Sequence, residues 1–457
     1  MKVLKFGGTS VGTVESLNNV KRIIEAIEGK AIIVVSALGG LTDMLISMAQ
    51  RATKGEKDWK EDFISVKKRH LDIIDKLVPT ENQKQVLNKI QSQFISLENQ
   101  LEELSLNKTL TESILDHIVS YGERMSSVIV AAIIKNGKRY FSPDFIKTEK
   151  WYGKNIADLK LTERLIRETF LTIDDNEKAI VPGFISSDRN TGIITNLGRG
   201  GSDYTGALLA ASLDAEILEI WTDVDGFMTA DPRIVKEAFR IDHLSYTESM
   251  ELCNFGAKVV YPPTIYPVFH KNIPIKILNT FNLEAPGTLI TDQILSTDPD
   301  IKGVSALKGI SLITIAINES TKSSQIIKRA FNSLSKKALR IFSIANPEPE
   351  SEFNFAVSTT DIKDIISVLE EEFREEIYDG IMKRPTIKNN LAAIALVGKN
   401  MKSFSRLAAR IGHSLRRSGI NVEAFSTGNS DTTIMYIINQ EKSLIALPLI
   451  HSLVFSV

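Results

Sequence analysis

Five consecutive apolar residues, Ala31-Ile32-Ile33-Val34-Val35, run directly into Ser36-Ala37-Leu38-Gly39-Gly40. A strand with no polar position needs cover on both faces, and a parallel sheet with helices on either side supplies it. The same texture begins earlier. A short apolar run over 3–6 ends in Gly7-Gly8, and Val11, Leu17, Val20, Ile23, Ile24 and Ile27 follow at helical spacing. Further apolar strands are expected at 179–181, 193–197, 217–222 and 275–279. Strands separated by helices imply right-handed βαβ units, so residues 1–290 read as an α/β sandwich around a mostly parallel central sheet. Residues 43–118 differ. They are rich in Lys, Glu, Gln, Leu and Ile, have no Gly between Gly55 and Gly122, and contain Pro79 as the one breaker. They predict a helical lobe beside the sheet.

After Pro286-Gly287-Thr288 the pattern changes. Strands are expected at 310–317, 340–345 and 353–358, with helices at 323–337 and 362–377. The pattern then restarts: a strand at 391–397, a helix at 403–418, strands at 421–426 and 432–438, and a helix at 444–453. This predicts an internal duplication of a split-βαβ, ferredoxin-like (βαββαβ) unit of about 70 residues. The boundaries follow as 300–385 and 386–457.

Composition excludes several function classes. The 55 basic and 56 acidic residues leave a net charge of −1. No whole-protein field exists to gather nucleic acid or a membrane surface, so an anionic ligand must be held by a local site. Cys253 is the single cysteine, which rules out an intrachain disulfide and fits a reducing cytoplasm. It is expected to be a buried structural thiol. The six histidines are scattered, with no pair at metal-ligand spacing. The start of the chain lacks a signal-peptide apolar region, and the longest apolar runs are strand-sized, far short of a bilayer span.

Four clusters carry chemistry. In Lys5-Phe6-Gly7-Gly8-Thr9-Ser10, two glycines let backbone approach a bulky anion, a following helix offers N–H groups, and Lys5 adds a charge. Gly198-Arg199-Gly200-Gly201-Ser202-Asp203-Tyr204 opens a helix expected over 205–212. It lacks the sixth-position glycine of a dinucleotide fingerprint, so no hydride cofactor is inferred. Arg199 suits bidentate carboxylate binding. Asp203 has two readings at this point: a helix cap, or a carboxylate that orients Lys5 or a metal ion. The third cluster, Trp221-Thr222-Asp223-Val224-Asp225-Gly226 with Ala230-Asp231-Pro232-Arg233, places polar groups at the end of an apolar strand, as an α/β ligand crevice does. In the fourth, Ser120-Tyr121-Gly122-Glu123-Arg124, Glu123 is either a surface acid or the receiver of a ligand ammonium group. Lys258 in Gly256-Ala257-Lys258 reads as a helix-region lysine that is solvated or faces phosphate.

These segments in this order, with VVSALGG from Val34 and FGAKVVYPPT at 255–264, resemble the amino-acid kinase family, and within it the aspartokinases of the threonine-sensitive branch. The duplicated C-terminal unit resembles their paired ACT domains. The resemblance covers nearly the whole chain. It implies ATP and Mg²⁺ as cofactors, no metal-binding cage of the protein's own, and L-aspartate as substrate. It also implies an amino-acid effector and a homodimer or higher homo-oligomer. Lys5 would stabilise the phosphoryl group in transfer, and Gly7 and Gly8 would shape its pocket. Ser36, Thr42, Glu123 and Arg199 would hold aspartate, with Gly200, Gly201 and Ser202 lining the reacting region. Asp203 would organise Lys5. Thr222, Asp223, Asp231, Arg233, Lys258 and Val259 would bind ATP.

Three positions depart from the family pattern. Tyr261 stands where many relatives have His, Met228 where many have Tyr, and Asn346-Pro347-Glu348-Pro349 replaces a Ser/Thr-rich effector loop. No dinucleotide-binding motif follows the second ACT-like unit before Val457, so no dehydrogenase activity is expected. The expected reaction is in-line attack of the aspartate β-carboxylate on the γ-phosphorus of ATP. The competing readings are a kinase for glutamate, acetylglutamate or UMP, and a catalytically silent amino-acid sensor.

Overall fold

A computed structural model of the chain describes residues 1–151, 153–293, 299–318, 323–335, 341–345, 352–427 and 431–455. The chain divides into two compact units. One comprises Met1–Phe227, Asp242–Tyr246 and Val259–Ile294; the other comprises Met228–Ile241, Thr247–Lys258 and Leu295–Val457.

The first unit begins with β1 (Lys2–Phe6), α1 (Val14–Glu25) and β2 (Ala31–Val35). The helical lobe follows as α2 (Leu41–Lys54), α3 (Trp59–Leu77), α4 (Thr80–Asn107) and α5 (Glu112–Ile133). Next come β3 (Gly137–Arg139), β4 (Lys147–Trp151), β5 (Lys154–Ala157), α6 (Leu159–Phe170), β6 (Lys178–Pro182), β7 (Ile185–Asp188) and β8 (Ile194–Asn196). The remaining elements are α7 (Gly201–Ser212), β9 (Ile217–Thr222), β10 (His243–Ser245), α8 (Tyr246–Asn254), α9 (Tyr266–Phe269), β11 (Ile275–Asn279) and β12 (Thr288–Thr291). Helix α8 starts in this unit and continues in the second.

Eight strands form one sheet in the order β10-β12-β11-β9-β1-β2-β6-β3. The run from β11 to β3 is parallel, and β12 is antiparallel to β11. All five residues of β2 are inaccessible, as an unbroken apolar strand requires. Helix α1 and the lobe bury the sheet face that carries Leu4, Phe6, Ile33 and Val35. The lobe continues through α5 to Ile133, beyond the 118 expected, because residues 112–133 are helical without a break. Pro79 caps the start of α4, where a missing N–H costs nothing.

The strand expected at 193–197 exists as β8, but outside the main sheet. It forms a hairpin with β7 and joins a four-stranded sheet in the order β5-β4-β7-β8. Helix α1 also starts later than the Gly7-Gly8 pattern suggested. Thr13 accepts from the Ser16 N–H and Ser16 reciprocates, a capping box that fixes the first turn at Val14.

The second unit contains β13 (Ile301–Ala316), α10 (Ser323–Ser335), β14 (Ile341–Ala345), β15 (Glu352–Ser358), α11 (Ile362–Glu372) and α12 (Arg374–Tyr378). It ends with β16 (Thr386–Gly398), α13 (Ser405–Arg417), β17 (Val422–Thr427), β18 (Thr433–Asn439) and α14 (Ser443–Phe455). One antiparallel sheet runs β14-β15-β13-β16-β18-β17. The two ferredoxin-like cores are interleaved rather than consecutive. Ile301 and Val304 of β13 pack with α13, β18 and α14, whereas Ile313, Ile315 and Ile317 pack with α10, β15 and α11. A division at 385/386 therefore assigns residues 301–306 away from the core they help fill. The single helix expected over 362–377 is broken at Phe373 into α11 and α12. Arg340, the tail of the first helix at 336–337 and Asn346-Pro347-Glu348-Pro349 lie outside the described residues.

Candidate active site

Strand β1 lies between β2 and β9, so the chain leaves it on one side first and returns on the other much later. In a parallel sheet this opens a crevice at the carboxyl ends of the strands. The ends of four strands, β1, β2, β9 and β11, meet there and are joined by backbone hydrogen bonds. Gly7 N–H donates to the carbonyl of Trp221 at 3.0 Å, Gly39 N–H to that of Gly8 at 2.8 Å, and Thr280 N–H to that of Thr222 at 2.9 Å. A side-chain carbon on Gly8 would stand 3.0 Å from the carbonyl oxygen of Ala37 and 3.2 Å from the Cα of Gly39, so only glycine allows the loops after β1 and β2 to touch.

Lys5, on β1, sends its ammonium to Asp203, in the first turn of α7, with Nζ and Oδ1 2.5 Å apart. Both side chains are nine-tenths buried. The two readings of Asp203 are thereby separated: its carboxylate meets Lys5, and the cap position of α7 is Gly200, with no side-chain cap bond. Gly200 has φ +70, and a Cβ there would fall 2.3 Å from the Cβ of Tyr261. Tyr261 thus covers the arginine loop from within the same unit. Helix α7 begins at Gly201, four residues before the start expected at 205, so Ser202 and Asp203 belong to its first turn.

Glu123, on α5, is the second buried acid. Its Oε1 accepts from the N–H of Ala37 at 3.1 Å, and its Oε2 is buried with no partner. Burial pushes this carboxyl up to about 8, against the pull of the Ala37 N–H and the charge of Lys5. An uncompensated buried carboxylate oxygen is expensive unless a donor arrives.

The other predicted residues divide. Ser36 is partly buried at the end of β2, its N–H donating to the carbonyl of Phe6. Thr42 lies in the first turn of α2. Arg199 is exposed and makes no ion pair with a described residue. Thr222 and Asp223 end β9, joined by a 3.2 Å hydrogen bond, and Val259 is partly buried in the same unit. Asp225 proves to be a loop clasp, accepting from Asn279 at 2.7 Å and Asn282 at 3.1 Å.

Asp231, Arg233 and Lys258 belong to the second unit. There Asp231 and Arg233 form a two-pronged pair of 2.9 and 2.7 Å, which holds the Asp231 carboxyl below its ordinary range. Lys258 follows the end of α8 rather than lying in a helix. Cys253 is partly exposed rather than buried as expected.

Sequence reasoning missed Arg69. It sits in α3 within Lys67-Lys68-Arg69-His70, which reads as a solvated charged face. In the structure its Nη1 donates to the Gly39 carbonyl at 2.8 Å, while Nε and Nη2 donate to the Gly12 carbonyl at 3.2 and 2.8 Å. It ties the two glycine loops to the lobe, and its burial lowers the guanidinium's pKa. No periodicity could reveal a long-range contact of this kind.

Comparison with known proteins places this geometry. Residues 1–279 match the amino acid kinase family, and residues 394–453 match an ACT domain. The bifunctional aspartokinase/homoserine dehydrogenase of Buchnera aphidicola subsp. Acyrthosiphon pisum is 32% identical over 466 residues, covering 100% of this chain and 56% of that protein. The chain spans about half the length of the bifunctional curated relatives it matches. Among solved structures, E. coli aspartokinase III in complex with aspartate and ADP (R-state) superposes with TM-score 0.86 and 25% identity over 100% of both chains. The same enzyme in complex with lysine and aspartate (T-state) gives 0.76, again over 100% of both. Among the described residues no helix is long and apolar enough to cross a membrane.

Proposed function

Because the chain belongs to the amino acid kinase family, we propose that it transfers the γ-phosphoryl group of ATP to the β-carboxylate of L-aspartate, giving 4-phospho-L-aspartate and ADP. The observation that carries this reading is the buried Lys5–Asp203 pair at the carboxyl ends of the strands, with the unpartnered Oε2 of Glu123 within reach of the Lys5 charge.

The nucleophile is already ionised at neutral pH, so no general base is needed. Rate acceleration then comes from alignment and from neutralising charge on the phosphoryl oxygens. Lys5 supplies the mobile positive charge, and Asp203 holds its ammonium in place. Gly8 offers its backbone N–H, while Gly7, whose own N–H is engaged by the Trp221 carbonyl, leaves the approach clear of side-chain obstruction. Glu123 receives the substrate ammonium, Arg199 takes a carboxylate, and Ser36 and Thr42 contribute hydroxyls. Gly200, Gly201 and Ser202 form the floor of the reacting region. Thr222, Asp223 and Val259 lie toward the nucleotide.

Among the described residues no three His, Cys, Asp or Glu side chains form a metal cage. Magnesium suits such a site as a companion of the nucleotide phosphates, which asks for at most one or two carboxylates, and Asp203 is the one at hand. When bound it neutralises phosphate charge. The ACT match supports feedback by an amino-acid effector. With a single cysteine, we assign the enzyme to a reducing cytoplasm.

Aspartyl hydroxamate formation from ATP and aspartate tests the reaction, with ADP release measured on glutamate, N-acetylglutamate and UMP alongside. Turnover confined to aspartate is expected, with inhibition by threonine, lysine or methionine naming the effector. Effector binding without ATP turnover would instead identify a sensor.

Arg69 provides an independent check on the loops. Arg69→Met removes three hydrogen bonds to two carbonyls, and kcat/KM for aspartate should fall about tenfold or more. Steady-state kinetics beside a circular dichroism spectrum measures this; an unchanged kcat/KM would show that the loops hold without the lobe.

A further inference from the structure

Asp116 lies outside the residues assigned so far, yet it is 94% buried on α5 and bonded to two other elements. Its Oδ2 accepts from Asn155 Nδ2 of β5 at 3.0 Å, and its Oδ1 accepts from Asn196 Nδ2 at the end of β8. The opposite end of the Asn196 amide accepts from the Gly198 N–H at 3.0 Å. Asn196 thus links the α5 carboxylate directly to the loop that carries Arg199. That loop is otherwise built from two left-handed glycines, Gly198 and Gly200, with φ of +72 and +70. Such a loop has little stiffness of its own.

The spacing along α5 has a consequence. Asp116 and Glu123 are seven residues apart, two turns, and so occupy the same face about 10 Å from each other along the axis. One end of this span receives the ammonium of an amino acid in the reading above; the other secures the arginine for its carboxylate. We propose that Asp116 is a positioning residue for the amino-acid substrate, acting through Asn196 to fix the Arg199 loop at a set distance from Glu123. The inference rests on the amino-acid-kinase reading for its substrate and on the hydrogen-bond chain for its mechanics.

Charge is part of the device. The groups facing Asp116 are Glu112, on its own helix, and Lys150, on β4; these two pair with each other at 2.7 Å. Burial first, and Glu112 second, raise the Asp116 carboxyl to about 6, while the Asn155 and Asn196 amides and Lys150 oppose the shift. The carboxylate is therefore ionised at neutral pH and lost as pH falls through 6. A protonated Asp116 turns one acceptor into a donor facing an amide N–H, so the link to Asn196 or Asn155 breaks.

The test uses the full chain as wild type, Asp116→Asn and Asn196→Ala. Hydrogen exchange is followed in peptides covering residues 196–202, and KM is measured for L-aspartate and for ATP. The expected result is exchange at least about tenfold faster in that segment for both variants, with KM for aspartate raised about tenfold and KM for ATP within twofold. In the wild type, exchange corrected for its intrinsic pH dependence should accelerate below pH 6, and in Asp116→Asn it should not. If Asp116→Asn does not fold, Asn196→Ala decides alone. Unchanged exchange in a folded variant, or equal rises in both KM values, overturns the proposal. A wild-type chain inactive on aspartate would overturn the functional reading instead, while the exchange data would still decide whether Asp116 holds the loop.

Discussion

Lys5→Ala should lower kcat by about 100-fold or more, the loss expected when one preorganised charge donor is removed from a site of charge transfer. The effect on KM should be smaller, because the loop amides and Arg199 remain. Stability will suffer as well. Asp203 would keep a carboxylate only 11% exposed with its partner gone, and breaking one side of a buried pair costs about 3–5 kcal/mol. The two effects can be separated. A Lys5→Met/Asp203→Asn double variant removes the orphaned charge, so its denaturation midpoint should recover most of the loss while its turnover stays low. A coupled ADP-release assay and urea melts on the three proteins measure both. Near-normal turnover in Lys5→Ala would remove the lysine from the chemistry and with it the proposed mechanism.

Glu123→Gln should move stability and function in opposite directions. In the unfolded chain this carboxyl titrates near 4.5; in the folded chain it holds its proton up to about 8. Stability linked to this group is fully present below pH 4.5 and is lost as pH rises through 8, because the folded state must then ionise a buried acid. Glutamine carries no such penalty. Relative to wild type, the variant should gain stability progressively from pH 5 to pH 9, by an amount on the order of a few kcal/mol. Its KM for aspartate should rise about 100-fold, since the ammonium loses a buried charged partner. An ammonium arriving beside Glu123 also lowers its pKa, so aspartate binding near pH 7 should release a proton from the wild type and none from the variant. Calorimetry in buffers of different ionisation enthalpy reads that proton. A stability difference independent of pH would mean that Glu123 is not the titrating group.

Local patterns were legible where one segment contains the whole cause. The unbroken apolar run of β2 dictates burial on both faces, and β9 and β11 fall on the residues that their apolar runs indicated. Asp203 marks the boundary of that legibility. Its place at a helix start suggested a cap as readily as a catalytic partner, and only the pairing of β1 beside β9, with α7 packed on the Lys5 side of the sheet, brings the two charges within 2.5 Å. Arg69 and Asp116 were invisible for the same reason. Each acts on backbone or amides 30 or more residues away, and no periodicity encodes such a contact.

By itself the order of apolar runs, glycine turns and polar clusters determined the α/β sandwich, the duplicated C-terminal unit and the residue types at the crevice, because strand burial and backbone approach are properties of a few neighbouring residues. Tertiary structure alone decided where the pieces belong. Ala230 and Val235, next to the predicted nucleotide residues, are buried with Ile394 and Leu447 in a core of the second unit. The two ferredoxin-like cores share one long strand, β13. Burial of apolar side chains has no direction along the chain, so it assigns each segment to whichever core it completes, whatever motif it adjoins.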